Sequence, residues 1–228
     1  MSDVTDEDYT LNGKKFAVVM ALDVSYSMSN YLEELSNKFN DFVRFAKNNK
    51  DVSETMDLAL ITFGTDVQDE FDGFTDVKGI PEMNFKARGN TNMKEALELA
   101  TSMARERTHI YKHANIEAYK PWIILMTDGE PNGGIDEIAP AATALKQREA
   151  DGKVHVFAVG MGPGFNKNVL TSITDKCFAI SDWNFEEFFT WLGKSVAMVS
   201  TSSPGDKKAI CDVGDECQDM MGKFFKVL

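Results

Sequence analysis

The chain has 228 residues, 43% of them hydrophobic and 26% charged, which suits one large globular domain with short appendages. Its 36 acidic against 24 basic side chains give a formal net charge of -12, which argues against nucleic acid and anionic membrane as main partners. No apolar run is long enough to span a bilayer, and the acidic opening is the opposite of a signal peptide. Three cysteines, Cys177, Cys211 and Cys217, form no framework, so a reducing cytoplasm is expected; a Cys211–Cys217 disulfide is the lesser reading.

Residues 1–13 are acidic, then polar, and read as a tail ending in the turn pair Asn12-Gly13. Phe16 to Leu22 is apolar at every position and closes on a polar cluster, the pattern of a strand buried on both faces. Leu32, Leu35, Phe39, Phe42, Val43 and Ala46 then recur at steps of three and four, a helical stripe. Met56 to Phe63 is a second buried strand, and the more acidic, alternating stretch Asp66 to Phe71 reads as an antiparallel edge strand. Met93 to Ala104 is helical in period, Trp122 to Met126 a strand, Ile138 to Leu145 a helix, and Val154 to Val159 a strand. A weaker strand lies at Cys177 to Ile180. The aromatic-rich helix Phe185 to Val199 follows, its rings read as core packing. From Ser200 the composition is that of a linker, followed by a stripe from Met220 to Leu228 on a short helix. That tail docks either on its own domain or on a partner. Buried strands alternating with amphipathic helices predict an α/β fold: a doubly wound, mainly parallel sheet with one antiparallel edge strand and helices on both faces.

The chemistry is concentrated in three loops. The first strand runs directly into Asp23-Val24-Ser25-Tyr26-Ser27, whose spacing of two turns three short oxygen ligands to one side. Asp128 follows the Trp122 strand, and Thr91 sits in Arg88-Gly89-Asn90-Thr91 at the entry to a helix. Ligands of open parallel sheets bind beyond the carboxyl ends of strands at the switch point, where the first strand should lie. Two carboxylates and three hydroxyls make a hard, all-oxygen set suited to magnesium, with manganese or calcium as alternatives. Zinc is disfavoured, because Cys and His are absent from all three loops.

Asp-x-Ser-x-Ser, Gly-x-Thr and Thr-Asp-Gly in this order resemble the von Willebrand factor A family and its metal-ion-dependent adhesion site (MIDAS). The resemblance implies a domain over residues 14–200 that holds one divalent cation on Asp23, Ser25, Ser27, Thr91 and Asp128. It further implies a non-enzymatic binding module whose metal accepts a carboxylate from a partner protein. Leu60-Ile-Thr-Phe63, Pro121 to Pro131, Phe157 to Gly162 and Phe185 to Val196 look like the bacterial TerY-like branch, associated with tellurium resistance and stress response. From that branch a kinase or a metal-dependent phosphatase is an implied partner. Tyr26 departs from the pattern, since a glycine is common between the two serines.

Blander readings stand beside these. Asp23, Ser25 and Ser27 could cap a helix, although Ser29 or Asn30 is better placed, and Thr91 could cap the helix from Asn92. His109 and His113 read as surface residues, His155 as a satisfied structural histidine, and Arg105 and Arg107 as a solvated helix end. A magnesium-dependent phosphoryl-transfer enzyme of the haloacid dehalogenase type also places an aspartate after the first strand. Such an enzyme needs a second aspartate two residues on, where this chain has Ser25. A third reading is a scaffold whose metal only fixes the loops.

Overall fold

The computed structural model describes residues 13–180, 185–203 and 226–227. All eight residues of β1 (Phe16–Asp23) are buried. Its side chains divide by parity: Phe16, Val18, Met20 and Leu22 enter one core, Val19 and Ala21 the other. In β2 (Met56–Phe63) the same alternation holds, with Asp57 and Thr62 as the polar exceptions. β5 (Trp122–Thr127), β6 (His155–Met161) and β7 (Cys177–Ile180) complete the parallel part, in the spatial order β2-β1-β5-β6-β7. The chain builds outward from β1 on one side and returns to its other side through β5. The switch point therefore lies between β1 and β5, as the sequence pattern predicts.

The edges are antiparallel. β3 (Val67–Asp69) pairs with β2 inside the stretch anticipated as an edge strand, and β4 (Thr75–Asp76) continues along the same edge. On the other edge β8 (Lys226–Val227) pairs with β7. At Lys226 and Val227 this corrects the helix expected over Met220 to Leu228, because an open edge strand offers unpaired backbone groups that an extended segment can satisfy; the rest of that stretch lies outside the described residues. The acidic tail before Gly13, together with Cys211, Cys217 and the rest of the C-terminal segment, lies outside the described residues.

Helices cover both faces. α1 (Leu32–Asn48), the short α2 (Lys50–Thr55) and α6 (Phe185–Thr201) pack on the first core. α3 (Met93–His113), α4 (Ile135–Ala150) and α5 (Lys167–Ile173) pack on the second. The aromatic residues of α6 are core, as anticipated: Phe185, Phe188, Phe189 and Trp191 are all buried, and Trp191 meets Phe157 and Phe178 at 5.9 Å between centroids. Burying a ring of that size contributes about 2–3 kcal/mol. Ser200 and Ser202, at the start of the expected linker, are fastened down; from residue 204 that linker lies outside the described residues. Thr55 Oγ1 donates to Ser200 Oγ (2.7 Å), while Tyr119 Oη and Lys14 Nζ donate to the Ser202 carbonyl (2.6 and 2.9 Å). Among the described residues no helix is long and apolar enough to cross a membrane.

Candidate metal centre at the carboxyl edge of the sheet

The parallel register pairs Leu22 with Met126, so the ends of β1 and β5 bring Asp23 and Thr127 side by side. Thr127 Oγ1 donates to Asp23 Oδ2 at 2.6 Å, and the Ser25 amide donates to Asp23 Oδ1 at 2.8 Å. The second contact is an Asx turn, the local geometry a short acidic side chain favours where a strand ends. It folds Asp23-Val24-Ser25 back on itself and starts a single 3-10 turn, Tyr26–Met28. Ser25 and Ser27 then stand with their hydroxyls 3.0 Å apart, and Ser27 Oγ donates to Asp128 Oδ1 at 2.8 Å. That last bond joins residues 101 positions apart in the chain.

Thr91 is brought in by backbone ties. The Val24 carbonyl accepts from the Arg88 amide (2.7 Å), and the Tyr26 amide donates to the Gly89 carbonyl (2.9 Å). The Asn92 amide donates to the Gly64 carbonyl (2.8 Å), so the β2–β3 turn backs the same loop. Two glycines permit the approach. A Cβ on Gly64 would stand 1.9 Å from the Arg88 carbonyl oxygen, and Gly89 combines φ +61 with Thr65 Oγ1 2.0 Å from its would-be Cβ. On its far side Thr91 exchanges two bonds with Asn132: its amide donates to Asn132 Oδ1 (3.1 Å) and its carbonyl accepts from the Asn132 amide (2.9 Å). Thr91 Oγ1 lies 3.9 Å from where a Cβ of Gly129 would sit, against the Asp128 loop. All five sequence-predicted residues are thus gathered at one edge.

The capping readings do not hold. The N-cap position of α1 is Tyr31, Ser29 instead donates to the Tyr26 carbonyl, and the N-cap of α3 is Asn92, with no side-chain cap bond at either helix. The Thr91 hydroxyl has no hydrogen-bond partner among the described residues and is available to a ligand.

The electrostatics are those of an anionic hole. Asp23 is fully buried and Ser25, Thr91 and Thr127 nearly so, while Ser27 is exposed at the rim. Burial pushes the Asp23 carboxyl up to about 6 against the pull of hydrogen bonds from Ser25 and Thr127, with Asp128 adding to the rise. Burial likewise raises Asp128, against the bond from Ser27. Neither carboxylate forms a salt bridge among the described residues, and no cation is among the leading causes of either shift. Among the described residues no group of three or more His, Cys, Asp or Glu side chains is placed to hold a metal. A cation site at this edge must therefore draw on hydroxyls. The donor set fits a hard cation, because two carboxylates without a counterion meet neutral oxygen donors in one buried cup.

The sequence shows Thr127 only as part of Thr-Asp-Gly, with no role of its own, and does not point to Asn132. Thr127 had a visible signal, since it sits between the buried strand and Asp128, whereas nothing local marks Asn132. The remaining titratable residues lie elsewhere. His109 and His113 are exposed, as expected. His155 is not satisfied: its Nδ1 meets Lys176 Nζ at 3.2 Å and its buried Nε2 has no partner among the described residues. Arg107 is not solvated either. It leaves the end of α3 to pair with Asp57, because that buried carboxylate needs a cation more than the helix terminus does. Cys177 is buried, and burial pushes its thiol up to about 11, so it is unreactive near neutrality.

A doubly wound α/β domain with paired acidic loops at its switch point belongs to the class that binds ligands at the sheet edge. A profile of the von Willebrand factor type A domain matches residues 17–191, and the chain belongs to that family. Among solved structures it is similar to proximal thread matrix protein 1 of the mussel byssus with a zinc-occupied MIDAS motif. That match has 20% identity and TM-score 0.57, and covers 82% of this chain and 46% of that one. It is similar to the pilus adhesin SpaC of Lactobacillus rhamnosus GG at 15% identity and TM-score 0.63, covering 82% and 30%. It is also similar to manganese-loaded Plasmodium vivax TRAP protein at 20% identity and TM-score 0.52, covering 75% and 70%. At these identities the likeness establishes the fold alone, and the match spans less than half of the mussel and Lactobacillus chains. A search of curated proteins gave no match.

Proposed function

We propose that Asp23, Ser25, Ser27, Thr91 and Asp128 hold one divalent cation, magnesium in preference to manganese or calcium, and that the domain uses it to bind a partner protein through a carboxylate. The observation that carries this reading is the fully buried Asp23 carboxylate. It is surrounded by neutral donors and is linked through Ser25 and Ser27 to a second carboxylate, with no salt bridge to either carboxylate among the described residues. Asp23 and Asp128 would supply charge to a cation bound here, and Ser25, Ser27 and Thr91 would supply neutral oxygens. A cation bound there supplies Lewis-acidic charge to which an acidic side chain of a partner can add. Ser27 and Tyr26 stand at the rim, where a partner would arrive; Tyr26 is 70% exposed. The metal named in the mussel and Plasmodium structures supports a divalent ion in this fold.

Phosphoryl transfer fits less well. Both oxygens of Asp23 are engaged and the residue is fully buried, so the would-be nucleophile is not presented, and Ser25 stands where a general acid is needed. A stress-response setting and a kinase or phosphatase partner rest on the sequence resemblance alone, a cytoplasmic location rests on the cysteine usage and the acidic opening, and all three form part of the proposal. So do the bounds of the domain at residues 14 and 200.

Affinity capture with the full chain, in magnesium and in chelator, tests the reading. The expected result is a partner retained in magnesium, released by chelator, and lost with Asp23→Ala and Ser25→Ala. A partner still held by Asp23→Ala after metal binding has gone would sink metal-bridged docking and favour the scaffold reading. Magnesium-dependent phosphatase turnover abolished in Asp23→Asn would favour the enzyme.

A further inference from the structure

The opposite pole of the molecule carries a second concavity with the reverse charge. A pocket of about 510 Å³ opens where the C-terminal half of α3, the entry to β5 and the turn after α4 meet. Arg105, Lys112, Lys120, Arg148 and Lys153 line it, and no carboxylate does. In a chain of net charge -12 this is a local inversion. Lys153 is neutralised by Asp151 at 2.7 Å, but Arg105, Lys112, Lys120 and Arg148 form no salt bridge among the described residues.

Helix ends explain part of the cluster. Lys112 and Arg148 lie in the last turns of α3 and α4, where cations offset the helix dipole. Arg105 is two turns upstream, and Lys120 and Lys153 stand on loops, so the dipoles do not account for them. Lys120, although exposed, reaches across the turn after α4: its Nζ is 3.4 Å from where a Cβ of Gly152 would sit, beside the segment that carries Arg148 and Lys153. Gly152 has φ +69, the left-handed C-terminal cap that lets this turn fold closely under the ammonium. Asp151 meets Lys153 and also acts on Arg148, and the helix ends offset part of the charge of Lys112 and Arg148, but Arg105 and Lys120 have neither, so the pocket keeps an excess of positive charge that an anion can complete.

We propose that this pocket binds a small, multiply charged phosphate ligand of the size of a nucleoside diphosphate. The two guanidinium groups of Arg105 and Arg148 and the ammonium groups of Lys112 and Lys120 match a phosphate ligand in charge and in hydrogen-bonding type. The volume suits a ligand of that size, and Ile116, Tyr119 and Pro121 give the pocket an apolar wall against which a base can lie. A long nucleic acid is disfavoured by the chain's overall negative field, whereas a small anion feels chiefly the charges within a Debye length of about 8 Å. The site is independent of the metal reading, since it lies at the amino edge of the sheet and the candidate metal centre at the carboxyl edge.

Calorimetric titration of the full chain in chelator with pyrophosphate, ADP and adenosine tests the assignment. The expected outcome is that pyrophosphate and ADP bind, that ADP binds tighter, and that adenosine is at least roughly tenfold weaker than ADP. Arg105→Gln and Lys120→Gln should each weaken pyrophosphate by about tenfold with an unchanged thermal midpoint in its absence. Adenosine binding as well as ADP, or both variants binding pyrophosphate like the parent, would overturn the proposal, as would no binding of any probe near 1 mM. A full chain that binds pyrophosphate only after Asp3, Asp6, Glu7 and Asp8 are replaced by their amides would also overturn it, and would assign the pocket to the chain's own acidic segment.

Discussion

Two aspartates at opposite ends of adjacent strands, Asp23 and Asp57, are equally buried and are treated in opposite ways. Asp57, at the amino end of β2, receives Lys15 Nζ at 3.2 Å, an Arg107 guanidinium nitrogen at 2.5 Å and the Tyr111 hydroxyl at 2.5 Å. Arg107 lies over the Tyr111 and Phe74 rings, with its central carbon 5.0 and 5.4 Å from their centroids. Asp23, at the carboxyl end of β1, receives a hydroxyl and an amide and no cation. A buried carboxylate is tolerated only when its charge is met. The fold therefore closes off Asp57 with its own cations and leaves Asp23 open, with no cation against it among the described residues.

The largest expected effect breaks the closed end. Asp57→Ala leaves Lys15 and Arg107 buried and unpaired, and the loss of one partner from such a network costs about 3–5 kcal/mol. Urea unfolding of the purified variant reads this directly. A loss below about 1 kcal/mol would mean that water replaces the carboxylate and that ion pairing does not close off this end of the strand.

Asp23→Asn should behave in the opposite way. It removes an unmet charge, so the metal-free stability is expected to stay level or rise. The parent should gain about 2.7 kcal/mol in magnesium at a hundred times its Kd, and the variant should gain nothing. If Asp23→Asn destabilises the metal-free protein as Asp57→Ala does, the contrast between the two ends fails.

Only the open end was legible in the sequence, and the reason is physical. A site made of consecutive short polar residues after a wholly apolar strand is written in one stretch, and Asp23, Ser25 and Ser27 announce themselves by spacing. Asp128 repeats the arrangement one strand over. Asp57 is a single charge inside an otherwise apolar run, and its partners lie 42 and 50 residues away, so nothing local pairs them. Arg107 even carries the opposite signal, since a cation near a helix end normally points to solvent. The long strands and helices were readable because burial imposes a period over many residues. α2, α5 and β4 were not, because six, seven and two residues are too few to show one.

A smaller effect tests how the third loop reaches the open end. In Gly64→Ala the new methyl falls 1.9 Å from the Arg88 carbonyl oxygen, which is backbone and cannot rotate away. Such overpacking costs roughly 1–3 kcal/mol and should displace the segment bearing Thr91. Magnesium affinity is expected to fall with stability. Gly164→Ala is the control, since nothing lies within 4 Å of its would-be Cβ. Equal magnesium affinity in Gly64→Ala and the parent would remove Thr91 from the proposed set, or show that its position does not depend on this contact.

The smallest effect concerns a buried group that neither end accommodates. Burial, with the ammonium groups of Lys176 and Lys120 adding to it, lowers His155 from an ordinary 6.5 to about 4. The sign follows from which state takes the proton. Below pH 6.5 the unfolded chain protonates this imidazole while the folded chain holds it neutral, so stability falls with pH until about 4. Between pH 6.5 and 5.5 the loss attributable to His155 is about 1 kcal/mol. Unfolding the parent and His155→Phe at both pH values isolates it, because carboxylates common to both proteins cancel in the difference. Asp23 is among them, and its raised pKa acts in the opposite sense, stabilising the metal-free fold as pH falls. A parent whose stability relative to His155→Phe does not change over that interval would show that the imidazole finds a proton acceptor in the folded state. Its Nε2 would then be met from outside, as Asp23 is expected to be.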